Sequence, residues 1–96
     1  MYTIYDLICT MQRHTHNVIF QNDAIKEPEY KPYIGTVEEF IDSELFPRIA
    51  DAQVNAVYAE DNGDICIHYW REFDIDAYME WIDHRITIES ADLVHI

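Results

Sequence analysis

This sequence has little positive charge. Six Lys and Arg stand against 19 Asp and Glu, a formal net charge of -13 over 96 residues. That is about twice the magnitude usual for a small domain. A field of this sign repels nucleic acid and anionic membranes, so neither is an expected direct partner. Glycine is scarcer still, with Gly35 and Gly63 alone. Neither belongs to a P-loop or a GxGxxG phosphate cradle, and no HExxH is present. Cys9 and Cys66 are the only cysteines and neither sits in a CxxC pair, so no disulfide framework is called for. No stretch approaches the ~20 apolar residues of a membrane span. The start MYTIYDLICT has no basic region and no long apolar run. The expectation is therefore no signal peptide and a cytoplasmic location, with both thiols reduced.

What the chain does have is apolar and aromatic surface. Seven Tyr, four Phe and two Trp, within a hydrophobic fraction of 49%, favour collapse over the expansion that the charge promotes. The length suits one domain, residues 1–96, with a stability of ~5 kcal/mol. The charge is uneven. Residues 1–26 balance Asp6 and Asp23 against Arg13 and Lys26. From Glu27 onward, 17 acids face Lys31, Arg48, Arg71 and Arg85. The asymmetry favours a directed acidic face, and uniform solubility is the plainer alternative.

Periodicity predicts a helix from Thr3 to about Arg13, on Ile4, Leu7, Ile8 and Met11, with Thr3 and Asp6 as a capping box. Asn17 to Gln21 reads as a short strand. Pro28 and Pro32 make residues 25–35 an extended connection, with Tyr30, Tyr33 and Ile34 as anchors. Thr36-Val37-Glu38-Glu39 is a second capping box, opening a helix that buries Val37, Phe40, Ile41 and Leu45 and is interrupted at Pro47. Val54–Ala59 and Ile65–Trp70 read as a hairpin around Asn62-Gly63. Both faces of the second strand are largely apolar, which suits a central position. Ile75, Tyr78, Met79, Ile82 and Ile86 outline a helix from about Asp74 to Arg85, and 91–96 reads as a final strand. The expected fold is α+β: a small antiparallel or mixed sheet with helices packed on one face.

The acids form patterns. Asp76, Glu80 and Asp83 stand at i, i+4 and i+7 on the helix at 74–85; Glu38 and Asp42 repeat at i, i+4 beside Glu39; Glu60, Asp61 and Asp64 mark the hairpin tip. Carboxylates about 6 Å apart on a helix repel by a few tenths of a kcal/mol per pair. They also approximate the spacing of phosphates along a nucleic-acid strand. Solvated side chains are the plain reading of any one of them. Tyr30, Tyr33, Trp70, Phe73 and Trp81 are candidates for partial exposure. Trp81 lies off the apolar stripe and is the aromatic singled out for a partner surface; the plain reading is a cap on the core edge.

Metal and catalytic readings are thinner. His14–His16 and Cys66–His68 would supply four ligands if they met in space, but their spacing matches no common finger. Asp61-Asn62-Gly63-Asp64 lacks the closing Glu of a calcium loop. Ser43 and Ser90 have no nucleophile-elbow context. The sequence therefore calls for no cofactor, no metal and no catalytic residue, and the chain is not read as an enzyme.

In its length, charge, aromatic richness and acid-bearing stretches 36–44, 60–64 and 72–83, the chain resembles small acidic phage-encoded inhibitors of bacterial defence: anti-CRISPR proteins, anti-restriction proteins and other DNA mimics. These share no dependable motif, so no residue role carries over. The resemblance implies a viral protein acting in the host cytoplasm. It would bind a basic nucleic-acid-binding surface of a nuclease or CRISPR effector and block DNA access. The contact set would be Glu38, Glu39, Asp42, Glu60, Asp61, Asp64, Asp76, Glu80, Asp83 and Trp81. Two alternatives stand beside it: a structural or assembly protein that forms a homodimer through the hairpin or terminal strand, and a small metal-binding regulator.

Overall fold

The computed structural model describes residues 2–82. Asp83, the expected helix end at Arg85 and the expected strand at 91–96 lie outside these residues. The described elements are α1 (Ile4–Thr10), β1 (Val18–Asn22), β2 (Tyr33–Gly35), α2 (Val37–Asp42), α3 (Leu45–Ile49), β3 (Val54–Ala59) and β4 (Ile65–Tyr69). Residues 75–82 are also helical (α4).

Both capping boxes form. In α1 the Thr3 hydroxyl accepts from the Asp6 N–H, and the Asp6 carboxylate accepts from the Thr3 N–H. In α2 Thr36 and Glu39 do the same. Each box satisfies donors that the first helical turn leaves without partners. α1 stops at Thr10, three residues short of the expected end, and the Met11 N–H closes its last turn on the Ile8 carbonyl.

The second helix breaks earlier than expected. The interruption falls at Ser43, whose ψ is 160°. A proline ring clashes with the carbonyl four residues before it, and for Pro47 that residue is Ser43. Pro47 then sits in the first turn of α3, where no N–H is required. Ser43 joins the two helices: its hydroxyl donates to the Phe40 carbonyl at 2.7 Å and accepts from the Phe46 N–H at 3.4 Å.

The sheet is four-stranded, in the order β2-β1-β4-β3. β1 pairs antiparallel with β2 and parallel with β4, and β4 pairs antiparallel with β3. The fold is thus α+β with an open mixed sheet, and β4 is internal, as its two apolar faces imply. One face carries Val18, Phe20, Tyr33, Ile67 and Tyr69 into the core, where they meet Ile4, Leu7 and Ile8 of α1, Val37 and Phe40 of α2, Leu45 and Ile49 of α3, and Tyr78 of α4. Phe40 stacks on Phe20 with ring centroids 4.0 Å apart, which fixes α2 across the middle of β1.

Two expected core residues turn outward. Ile34 alternates with the buried Tyr33 and is 54% exposed, so it is no anchor. Ile41 is also exposed, and Tyr33, expected to be partly exposed, is buried. The hairpin turn differs in kind from the expected Asn-Gly pair. Among the described residues only Gly63 has positive φ, at 94°, so Asn62 does not share it. Glu60 N–H donates to the Asp64 carbonyl and Gly63 N–H to the Glu60 carbonyl, a three-residue loop with a glycine in the left-handed position.

Candidate functional site

Strand order decides which acids meet. Gly35, Val18, Ile65 and Ala59 are successive register partners, one from each strand, and form a single row across the sheet. Beyond that row lie the start of α2, which follows Gly35, and the β3–β4 tip, which follows Ala59 and precedes Ile65. The two anchors of these segments are three strand spacings apart, about 14 Å. The first turn of α2 and the hairpin tip therefore leave the sheet at the same end. That end carries Glu38, Glu39, Glu60, Asp61 and Asp64.

These five carboxylates do different things. Glu39 is spent in its capping box. Asp64 is half-buried; one carboxylate oxygen accepts from the Asn17 N–H at 3.1 Å and the other from the Asn62 side-chain amide at 3.1 Å. It fastens the tip to the start of β1. Glu38, Glu60 and Asp61 are exposed, and neither ion pair among the described residues includes them. The rim thus has two structural acids and three that face solvent without an ion-pair partner among the described residues. Asp42 stands one helical turn beyond Glu38. With Gln12, Val37 and Ile41, these two acids line an open cleft of about 290 Å³.

Asp76 and Glu80 are not part of this rim. They are exposed on α4, which follows β4 and therefore begins at the opposite end of the sheet. Asp74 caps α4, accepting from the Asp76 N–H at 3.3 Å. The chain from β4 to α4 is held by Asn22, which is wholly buried. Its side-chain oxygen accepts from the N–H groups of Ala24 and Arg71, and its amide donates to the Arg71 carbonyl at 2.7 Å. Trp81 is half-buried at a core edge. It meets Phe73 edge-on at 5.0 Å, and the Arg48 guanidinium lies 4.4 Å over its ring. Its apolar face already has a cation on it.

The histidine pairs do not come together. His14 and His16 stand 5.8 Å apart by ring centroids at the acidic end, with His16 against Gly63. His68 is engaged elsewhere: Nδ1 lies 2.9 Å from Asp23 Oδ1 and Nε2 3.4 Å from the Tyr58 hydroxyl. Among the described residues no group of three or more His, Cys, Asp or Glu is arranged to hold a metal ion. Hydrogen bonding to the neighbouring Cys66 holds the Tyr58 phenol above its ordinary pKa. The line from Asp23 through His68 to Tyr58 serves as a cross-strand clip.

Comparison with known proteins gives no match. No family model fits the chain, and no curated protein or solved structure is detectably similar.

Sequence reasoning missed the exposed aromatics that matter most. Tyr2, Tyr5, Tyr58 and Trp70 are each about half exposed, and only Trp70 was among the candidates. The signal for Tyr58 was available in part: its strand, Val54-Asn55-Ala56-Val57-Tyr58-Ala59, contains no charge.

Proposed function

We propose that this protein is a stoichiometric inhibitor that docks its acidic end on a basic, nucleic-acid-binding surface of a nuclease or CRISPR effector and blocks access of DNA. The function is binding, with no turnover. The observation that carries the reading is the shared position of the α2 start and the β3–β4 tip at one end of the sheet, with Glu38, Glu60 and Asp61 exposed and unpaired among the described residues. Rigid anchoring matters because a backbone already held in place adds no loop-ordering cost on docking, leaving only the side-chain ordering of the carboxylates. Asp64, Glu39 and the register of the sheet provide that anchoring. Glu39 and Asp64 act through geometry; Glu38, Glu60 and Asp61, with Asp42 along the cleft, make the contact. Asp76 and Glu80 add to the long-range field that speeds encounter.

The test is affinity capture from a host lysate at about 50 mM and about 500 mM salt, where screening lengths differ by roughly threefold, followed by elution with duplex DNA. The reading expects a nucleic-acid-binding complex retained at the lower salt, released at the higher salt and displaced by DNA. Retention that ignores both salt and DNA would overturn it.

A further inference from the structure

The outer edge of β3 is built for pairing. Along an antiparallel strand, residues alternate between pointing their backbone groups at one neighbour and at the other side. Glu60 N–H donates to the Asp64 carbonyl, toward β4. Tyr58 and Ala56 share that phase, opposite Cys66 and His68. Val57 and Ala59 therefore turn both N–H and C=O away from the sheet. Among the described residues, the segment at Tyr2 and Thr3 pairs only with the start of this edge: the Tyr2 carbonyl accepts the Val54 N–H at 3.0 Å, and Thr3 is the antiparallel bridge partner of Gln53. Residues 55–59 are all exposed.

Edge strands are usually protected by shortness, by charge or by proline. β2, at the other edge, has three residues. β3 has six, carries no charge and no proline, and has its one irregularity at its start, between Val54 and Ala56. Val57 and Tyr58 are 45% and 49% exposed on its two faces. In a chain of net charge -13, the whole of this six-residue edge is neutral.

We propose that β3 pairs with β3 of a second copy of this chain, antiparallel, about a two-fold axis at Tyr58. In that register Val57 faces Ala59 of the second copy and Ala59 faces its Val57. The two outward-facing residues of each strand then make four backbone hydrogen bonds. The larger side chain of each pair meets the smaller. Tyr58 lies opposite Tyr58 of the second copy as a close pair, with Cα atoms about 4.5 Å apart. A register centred on Val57 would need Asn55, which lies in the irregular stretch. Charge selects the direction. Parallel pairing would set two acidic tips side by side, about 4.8 Å apart. Antiparallel pairing puts Glu60 opposite Ala56 of the second copy and separates the two Glu60 residues by four positions, about 14 Å. That exceeds the Debye length of about 8 Å at physiological salt. One strand pair buries less area than a permanent dimer needs, so the association is weak and concentration-dependent.

Sedimentation equilibrium of the full chain, over a concentration series at about 20 mM and about 500 mM salt, tests the pairing. The expected result is a monomer–dimer equilibrium that tightens at least about tenfold at the higher salt as repulsion is screened. This is opposite in sign to the salt response of docking on a basic partner, so the two readings fail separately. A chain that stays monomeric at both salts leaves the edge to a strand of another protein and overturns the proposal, as would association that weakens with salt. The register is tested in a Cys9→Ser, Cys66→Ala background. Under mild oxidation Tyr58→Cys should cross-link between copies at least about ten times more than Ala56→Cys, because only the close pair meets disulfide geometry. Equal yields would contradict the two-fold axis at Tyr58.

Discussion

Asn22 and Tyr69 show how two buried polar groups can have opposite value. Both lie on the core face of the sheet, and they are register partners of β1 and β4. Both polar atoms of the Asn22 side chain are partnered, the oxygen by the N–H groups of Ala24 and Arg71 and the amide by the Arg71 carbonyl. Asn22→Ala would strand these groups, and a loss of about 2–4 kcal/mol in denaturant unfolding is expected. Tyr69 is wholly buried, and its hydroxyl has no hydrogen-bond partner among the described residues. Tyr69→Phe should be neutral or stabilise by up to about 1 kcal/mol, since it removes an unsatisfied donor at almost constant shape. Tyr78→Phe provides the contrast: it loses the 2.8 Å hydrogen bond to the Lys31 carbonyl and should cost about 1 kcal/mol. Burial also raises the pKa of Tyr30, Tyr69 and Tyr78 above the ordinary phenol value of 10.0. The unfolded chain ionises first. Stability is therefore complete below pH about 10 and falls as pH rises toward the folded values, by at most about 1.4 kcal/mol per pH unit for each phenol. Thermal midpoints measured from pH 8 to 11.5 should be flat at first and then drop steeply; a midpoint unchanged above pH 10 would contradict the burial.

At the scale of elements, the turn at Gly63 carries the clearest strain argument. Its φ is 94°, and an added Cβ would approach the His16 ring to 2.8 Å. Gly63→Ala should cost roughly 1–2 kcal/mol, readable as a shift in the denaturant midpoint with unchanged m. This glycine, the two capping boxes and the central place of β4 were legible in the sequence, because each rests on neighbours within a few residues or on the composition of one strand. The break at Ser43 was not, because the steric effect of Pro47 falls four residues before it. β2 was hidden as well: three residues after a proline become a strand only because Phe20 and Ile19 pair with Tyr33 and Ile34. Exposure of Ile34 and Tyr58 likewise depends on which strand lies beside which, and that of Ile41 on how α2 lies on the sheet, with Phe40 turned inward. The same reason kept the acidic rim out of reach. Gly35 and Ala59 come to one row only through the parallel pairing of β1 with β4, and no local pattern announces that.

Across the whole molecule, the charge separates into a rim and a helix. Glu38, Glu60 and Asp61 share one end of the sheet, whereas Asp76 and Glu80 follow its other end. An account based on net charge alone would treat the two groups as equivalent. The fold separates them, and it also sets the neutral β3 edge apart from the rim acids as a different surface. The direct comparison is between two variants, each first checked for native circular dichroism and thermal unfolding: Glu38→Lys/Glu60→Lys/Asp61→Lys at the rim, and Asp76→Lys/Glu80→Lys on α4. Glu39 and Asp64 are left intact because they hold the backbone. The measurement is the affinity of each for the DNA-displaceable complex captured by the wild-type chain, as a function of salt. The rim variant should lose at least about a hundredfold at low salt and show a flat salt dependence. The α4 variant should lose no more than about tenfold and keep the steep slope. Equal losses in the two variants, or none at the rim, would contradict docking by the acidic end.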